Sequence, residues 1–448
     1  MNSNIKRLGE ESVGKLLWSF SIPAIIGMIV NAIYNIVDRI FVGQAVGDKA
    51  LAALSFAFPF MTAIMAMAML VGLGGTSLVA ISLGEGNKEK AQKILANVCF
   101  FAGILEVIVS VLGYIFLKPL LHIFGTPDGI IMDYAVQYMK VILLGSVFQG
   151  IGFSLNAIIR SDGSPKMAMI SMLAGAITNI VFDWLLTFVI RWGVIGAAVA
   201  TILGQLATMI WVLYYFTKRS NIRLNFHNFK PDFSLMARVS FIGLSPALVQ
   251  LAMACVVILY NHLFMKYSSD VAVSAFSVYN SALTLITMPI FGINQGVQPI
   301  VGYNYGARKF KRVKKAMLYG AFAATFICVL GSVLIHLFPE QIVKTFNSSP
   351  ELIRLGCQAL KTSSLALPVV GIQIIFSNYF QYVNRPKVAT FMGLSRQCLF
   401  LIPSLFVLPR FFELEGVFYA QPVSDLLSAT IAVLWTGLAL RSLEKPSK

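Results

Sequence analysis

The sequence predicts an all-α polytopic membrane protein, with twelve transmembrane helices in two six-helix lobes related by a pseudo-twofold axis. Composition, recurring apolar runs and an internal repeat carry that expectation. Of 448 residues, 57% are hydrophobic and only 12% charged. Mean hydropathy is +0.78. A soluble protein of this length needs far more charge to cover its surface. Apolar runs long enough to cross about 30 Å of hydrocarbon recur from end to end. Their expected limits are 16–41, 50–82, 94–117, 132–159, 166–190, 193–217, 240–265, 271–303, 316–338, 352–383, 387–409 and 416–440.

The repeat is visible in three places. "SIPAIIGMIVNAIYNIVDRIFV" (Ser21–Val42) aligns with "LSPALVQLAMACVVILYNHLFM" (Leu244–Met265), placing Pro23 on Pro246. "GSPKMA" (Gly163–Ala168) aligns with "NRPKVA" (Asn384–Ala389), and "GEGNKEKAQK" (Gly84–Lys93) echoes "NYGARKFKRVKK" (Asn304–Lys315). The offsets are 223 and 221 residues, and 220 if Gly86 is matched with Gly306. Each unit holds an even number of spans, so the two are expected to lie parallel. The expected division is an N-lobe over 1–217, a polar linker over 218–239 and a C-lobe over 240–448.

Taken in order, the spans carry few but specific polar groups. Lys6, Arg7 and Lys15 precede the first span with no small-residue cleavage site, so this span is expected to remain in place. Asn31, Asn35 and Asp38 share one face of it at helical spacing. Pro23, and Pro246 in the seventh span, can kink their helices and free backbone carbonyls. The second span holds "MTAIMAMAML" (Met61–Leu70), flexible thioethers suited either to varied ligands or to plain packing. Glu106, midway along the third, has no evident partner; a second proton site and a hydrogen bond between helices both remain open. Tyr138 lies near the outer end of the fourth span, close to its start.

The fifth span places Ser171, Gly175, Asn179, Asp183 and Thr187 every four residues on one face. A carboxylate at the centre of a membrane helix costs about 2.5–3.5 kcal/mol on insertion scales, so this stripe is expected to face the protein interior, with Asp183 functional or structurally hydrogen-bonded. Thr201 and Gln205 share a face of the sixth span at a similar depth. The second lobe offers neutral amides instead: Gln250 and Asn261 on the seventh span, Gln373 and Asn378 on the tenth. With Asn31, Asn35, Tyr138 and Gln205, these are expected to line a substrate cavity. Arg396 and Asp425 fall near mid-membrane on adjacent spans, where a structural ion pair is expected.

The formal net charge of +16 sits mostly in short connections such as Arg308–Lys315. That is the positive-inside pattern, which puts both termini in the cytoplasm and makes anionic lipid the expected contact, not nucleic acid. Five scattered cysteines without a CxxC, and four histidines without ligand spacing, point to no metal and no cofactor.

"IPAIIGMIVNAIYNIVDRIFVG" at the opening of the first half, "RSDGSPKMAM" (Arg160–Met169) and "GINQGVQPIVGYNYGARKFKRV" (Gly292–Val313) closely resemble the multidrug and toxic compound extrusion (MATE) family, of the multidrug/oligosaccharidyl-lipid/polysaccharide exporter superfamily. The resemblance covers almost the whole chain. It implies efflux of small amphipathic, mostly cationic compounds in exchange for inward H⁺ or Na⁺, with the coupling site at Asp38, Asn179, Asp183 and Thr201. The second-lobe carboxylates of one family branch are missing here, which puts a second-lobe cation site in doubt. The expected protein is a multi-pass antiporter of the cell inner membrane, acting as a monomer and not as an enzyme. The competing function is a flippase for lipid-linked precursors. Its cavity would need several Arg and Lys for pyrophosphate, and only Arg396 is clearly intramembrane.

Overall fold

A computed structural model describes residues 3–123, 129–225, 230–267, 270–346 and 349–443. Every regular element among them is helical. The first six spans are Val13–Ala45, Asp48–Gly84, Lys88–Ile115, Gly129–Ser161, Pro165–Val189 and Gly193–Arg219. The seventh to ninth are Phe233–Tyr267, Asp270–Gly306 and Phe310–Leu337. The last two are Pro386–Val407 and Pro409–Ser442. The expected single span at 352–383 is instead two helices, Pro350–Ser363 and Leu367–Tyr382, bent by 49°. Proline at the start of the second piece breaks the backbone ladder there. Counting this pair as one span gives twelve among the described residues.

Helix ends follow local chemistry. Asn87 caps the third span by accepting from the Lys90 backbone N–H at 2.9 Å. Proline opens the fifth, eleventh and twelfth, where its missing N–H costs nothing. The seventh span begins at Phe233 rather than 240, because Asp232 caps it, accepting from Leu235 N at 2.9 Å. The expected linker is shortened accordingly, and its residues 226–229 lie outside the described residues.

The duplication is written into the backbone. Gly86 and Arg308, Gly163 and Asn384, and Arg191 and Glu413 all adopt positive φ in corresponding turns. Their offsets of 222, 221 and 222 residues correct the register read from sequence. Gly306 corresponds to Gly84, not to Gly86, since Gly86 and Arg308 are the left-handed turn residues.

The two halves meet through exchanged spans. The first packs on the eighth, the second on the seventh, and the second on the eighth along the pseudo-axis. Backbones approach so closely that a Cβ at Gly84 would overlap the Tyr303 carbonyl, and one at Gly306 the Ile81 carbonyl. Gly243 meets Leu70 in the same way, while Gly292 and Gly296 meet Ile25 and Ser21. These contacts all fall in the halves of the spans nearest the chain termini. Equivalent segments also cross between lobes there. Ahead of the first span, Leu8 O accepts from Asn304 Nδ2 at 2.9 Å and from Arg312 at 3.1 Å. Ahead of the seventh, Asp232 pairs with Lys93 at 2.6 Å, and this ammonium holds its carboxyl below the ordinary range.

Candidate functional site

The polar stripes of the first and fifth spans converge in the half of the first lobe away from the termini. Asp183 is fully buried and Asp38 nearly so, at 9% exposure. Their carboxyl groups are neighbours, each within the electrostatic reach of the other. The fifth span changes winding immediately after Asp183, with a π-helix from Trp184 to Val189. Such wide turns collect at functional sites because they re-aim side chains. Here Thr187, inside the wide turn, donates to Asp183 Oδ1 at 2.8 Å.

The surrounding wall comes from three more groups. Asn179, one turn below Asp183, donates to Thr201 Oγ1 of the sixth span at 3.5 Å. Tyr138, 2% exposed, brings its hydroxyl to Thr201 and faces both carboxyls. Tyr34 completes the cluster beside Asp38. Three buried oxygens remain without a hydrogen-bond donor: Asp38 Oδ1, Asp183 Oδ2 and Asn179 Oδ1. Two neighbouring carboxylates, out of water, cannot both stay ionised without something positive between them. The cluster is therefore a receptor for a proton or a small hard cation, with every potential ligand an oxygen.

Residues expected along the substrate cavity divide into two groups. Asn35 and Asn261 are exposed, Asn31 and Gln250 half-buried. Asn35 also donates to the Asn31 carbonyl at 2.7 Å. Others are withdrawn into the bundles, because a buried polar group takes a protein partner where it can. Tyr138 belongs to the carboxyl cluster rather than to an open wall. Gln373, 5% exposed, donates to Ser377 Oγ at 3.3 Å. Asn378 bonds the Ile374 carbonyl of its own helix at 2.8 Å. Gln205 donates to Gln149 of the fourth span at 3.3 Å. Sequence reasoning passed over Tyr34 and Gln149. Tyr34 sits four residues before Asp38 and could have been found by extending that stripe; nothing in the sequence singles out Gln149.

In the second lobe, Arg396 Nε donates to Asp425 Oδ1 at 2.7 Å. Gln421 approaches both oxygens of Asp425 at 3.4 Å, and Tyr260 reaches Gln421 at 3.3 Å. Removing one partner of a buried pair strands the other charge, at about 3–5 kcal/mol. Arg396→Ala is therefore expected to lower the yield of folded protein, and Arg396→Ala with Asp425→Ala to recover much of it. Size-exclusion yield of the three proteins measures this; equal yields for single and double variants would remove the pair's structural role.

Comparison with known proteins matches the sequence and the fold of the chain to a transporter family. The MatE family model matches residues 23–185 and, a second time, 246–407. The chain is 26% identical over 425 residues to the multidrug export protein MepA of Staphylococcus haemolyticus, covering 95% of this chain and 93% of that protein. Among solved structures, a MATE protein in the straight conformation is 25% identical, with a TM-score of 0.93 and full coverage of both chains. The outward-facing conformation of a multidrug resistance MATE family transporter of the MOP superfamily is 24% identical, with a TM-score of 0.94 and full coverage of both.

Proposed function

The chain belongs to the MatE family, whose members are transporters and not enzymes, and on that premise we propose that it is a proton-coupled multidrug efflux antiporter. Its cargo would be small amphipathic cations, and its location the plasma membrane with both termini in the cytoplasm. The Asp38–Asp183 pair carries this reading. Proton and cationic substrate compete for one negative region of the first lobe, and each favours a different arrangement of the spans. Membrane potential, at about 2.3 kcal/mol per charge per 100 mV, drives the proton inward and so the drug outward. The resemblance to MepA supports drug export, and the positive-inside distribution supports the orientation.

The flippase alternative is disfavoured by a specific observation. Its anionic headgroup would call on Arg396, whose guanidinium is already engaged by Asp425. Sodium could fill the same oxygen cluster, so pH dependence is the deciding property. Binding of ethidium, a lipophilic cation, to the purified protein is expected to weaken as pH falls, at constant sodium. Equilibrium fluorescence titration at several pH values checks it. Affinity that follows sodium and ignores pH would replace the proton by sodium.

A further inference from the structure

Among the described residues, a further buried acid of the first lobe lies apart from the Asp38–Asp183 pair. Glu106 is fully buried midway along the third span, and neither of its carboxyl oxygens has a hydrogen-bond partner. Its backbone carbonyl, not its side chain, accepts the Ser146 hydroxyl at 3.3 Å. The side chain lies against Gly150 of the fourth span, where a Cβ would overlap Glu106 Cγ. Glycine at that position therefore makes the room in which the carboxyl sits.

Among the described residues, no charge faces it from any element packed on the third span. The ionisable groups of the second span, Asp48 and Lys49, sit at its far start. On the fourth, Asp133 and Tyr134 lie near the start, and Tyr138 belongs to the Asp38–Asp183 cluster. Lys140 covers the Tyr114 ring at 5.8 Å, and Arg160 bonds the Asn156 carbonyl at 3.2 Å. The seventh span meets the third through Phe101, whose ring lies 5.3 Å from that of Phe233, and its Arg238 is exposed. On the third span itself, Lys88, Glu89, Lys90 and Lys93 lie at its terminal end, and Cys99 is buried two turns before Glu106. A hydrogen bond between helices, the structural explanation for such a residue, is not made. An ionised carboxylate with neither donor nor counter-charge is not tolerated at this depth. The pocket accommodates the acid form alone.

The same two spans are not sealed along their length. A groove of about 410 Å³ opens between them, lined by Gly103, Ile104 and Val107 on one side and Val147 and Ile151 on the other. Glu106 is not among the residues that line this outward-facing groove, so its carboxyl is closed off in this arrangement, and a movement of the third span against the fourth that admits water would let the proton leave. On the proton-exchange reading above, we infer that Glu106 is a second proton-binding site of the first lobe. It is filled when the lobes are closed at their terminal end and emptied when the lobe rearranges to the opposite state.

The test counts protons. Ethidium is added to the full-length protein in weakly buffered detergent solution, and proton release is followed with a pH indicator. Infrared difference spectra record the carbonyl band of each neutral carboxyl that is lost. Wild type is expected to lose two such bands, and Glu106→Gln, a neutral near-isostere that preserves packing, to lose one and to release about one proton fewer per protein. Asp183→Asn, which mimics the protonated pair and holds the lobe in one arrangement, should lose neither band on ethidium addition. A Glu106→Gln protein with the wild-type spectrum and proton count overturns the inference, and the coupling pair then stands alone. No proton release from wild type overturns both.

Discussion

Asp183→Asn is expected to reach the membrane in near wild-type amounts and to show no drug efflux above background under a proton gradient. Asparagine keeps the shape of the side chain and can still accept from Thr187, which now bonds Asp183 Oδ1 at 2.8 Å. Its amide can also donate to Asp38, mimicking for good the state in which one proton bridges the two acids. What disappears is titration. A lobe held in one charge state cannot be moved between arrangements by proton binding, because a ligand shifts an equilibrium only by its differential affinity for the two states. Ser404→Ala, at the repeat-equivalent position of the second lobe, should leave efflux intact. Gradient-driven efflux by a well-folded Asp183→Asn protein would make the carboxylate structural.

The second large effect is expected at the lobe interface. Alanine at Gly306 or Gly84 places a methyl group against a backbone carbonyl of the opposite lobe, Ile81 or Tyr303. A carbonyl in a helix cannot rotate away as a side-chain tip can. The spans must separate, at about 1–3 kcal/mol per overpacked contact. Since the glycines face each other across the pseudo-axis, the penalties overlap and the double variant should cost less than the sum. The conformer closed at the terminal end loses population, by roughly tenfold for 1.4 kcal/mol. A cysteine replacing Gln298, which now lies against Ser77 at 3.2 Å, should then react faster with a thiol reagent applied from the terminal side. Unchanged reactivity would mean that this crossing does not govern closure.

Much of this architecture was legible in the sequence because the membrane imposes it. Apolar length gave spans, and the repeated strings gave two parallel units. The tenth span was misread as continuous because hydropathy does not register the 49° bend at Leu367. The seventh begins earlier than its hydropathy implies, because Phe233–Arg238 follows a polar linker and its helical state depends on the cap that Asp232 provides. Register was off at Gly86 because a glycine was matched to a glycine; the left-handed turn shows that Arg308 is the true counterpart. The carboxyl cluster was readable from four-residue spacing on single helices. Spacing could not show that Tyr138 turns into that cluster, or that Gln205 meets Gln149. Those are contacts between spans, set by packing and not by periodicity.

The measurement that bears most directly on the central claim is efflux in proteoliposomes under one gradient at a time. Purified protein is reconstituted, ethidium is supplied, and a pH gradient or a sodium gradient is imposed separately with the membrane potential clamped. The Asp38–Asp183 pair as a proton site requires transport under the pH gradient alone, abolished by Asp183→Asn. Transport under the sodium gradient alone, or undiminished transport by Asp183→Asn under the pH gradient, would contradict it.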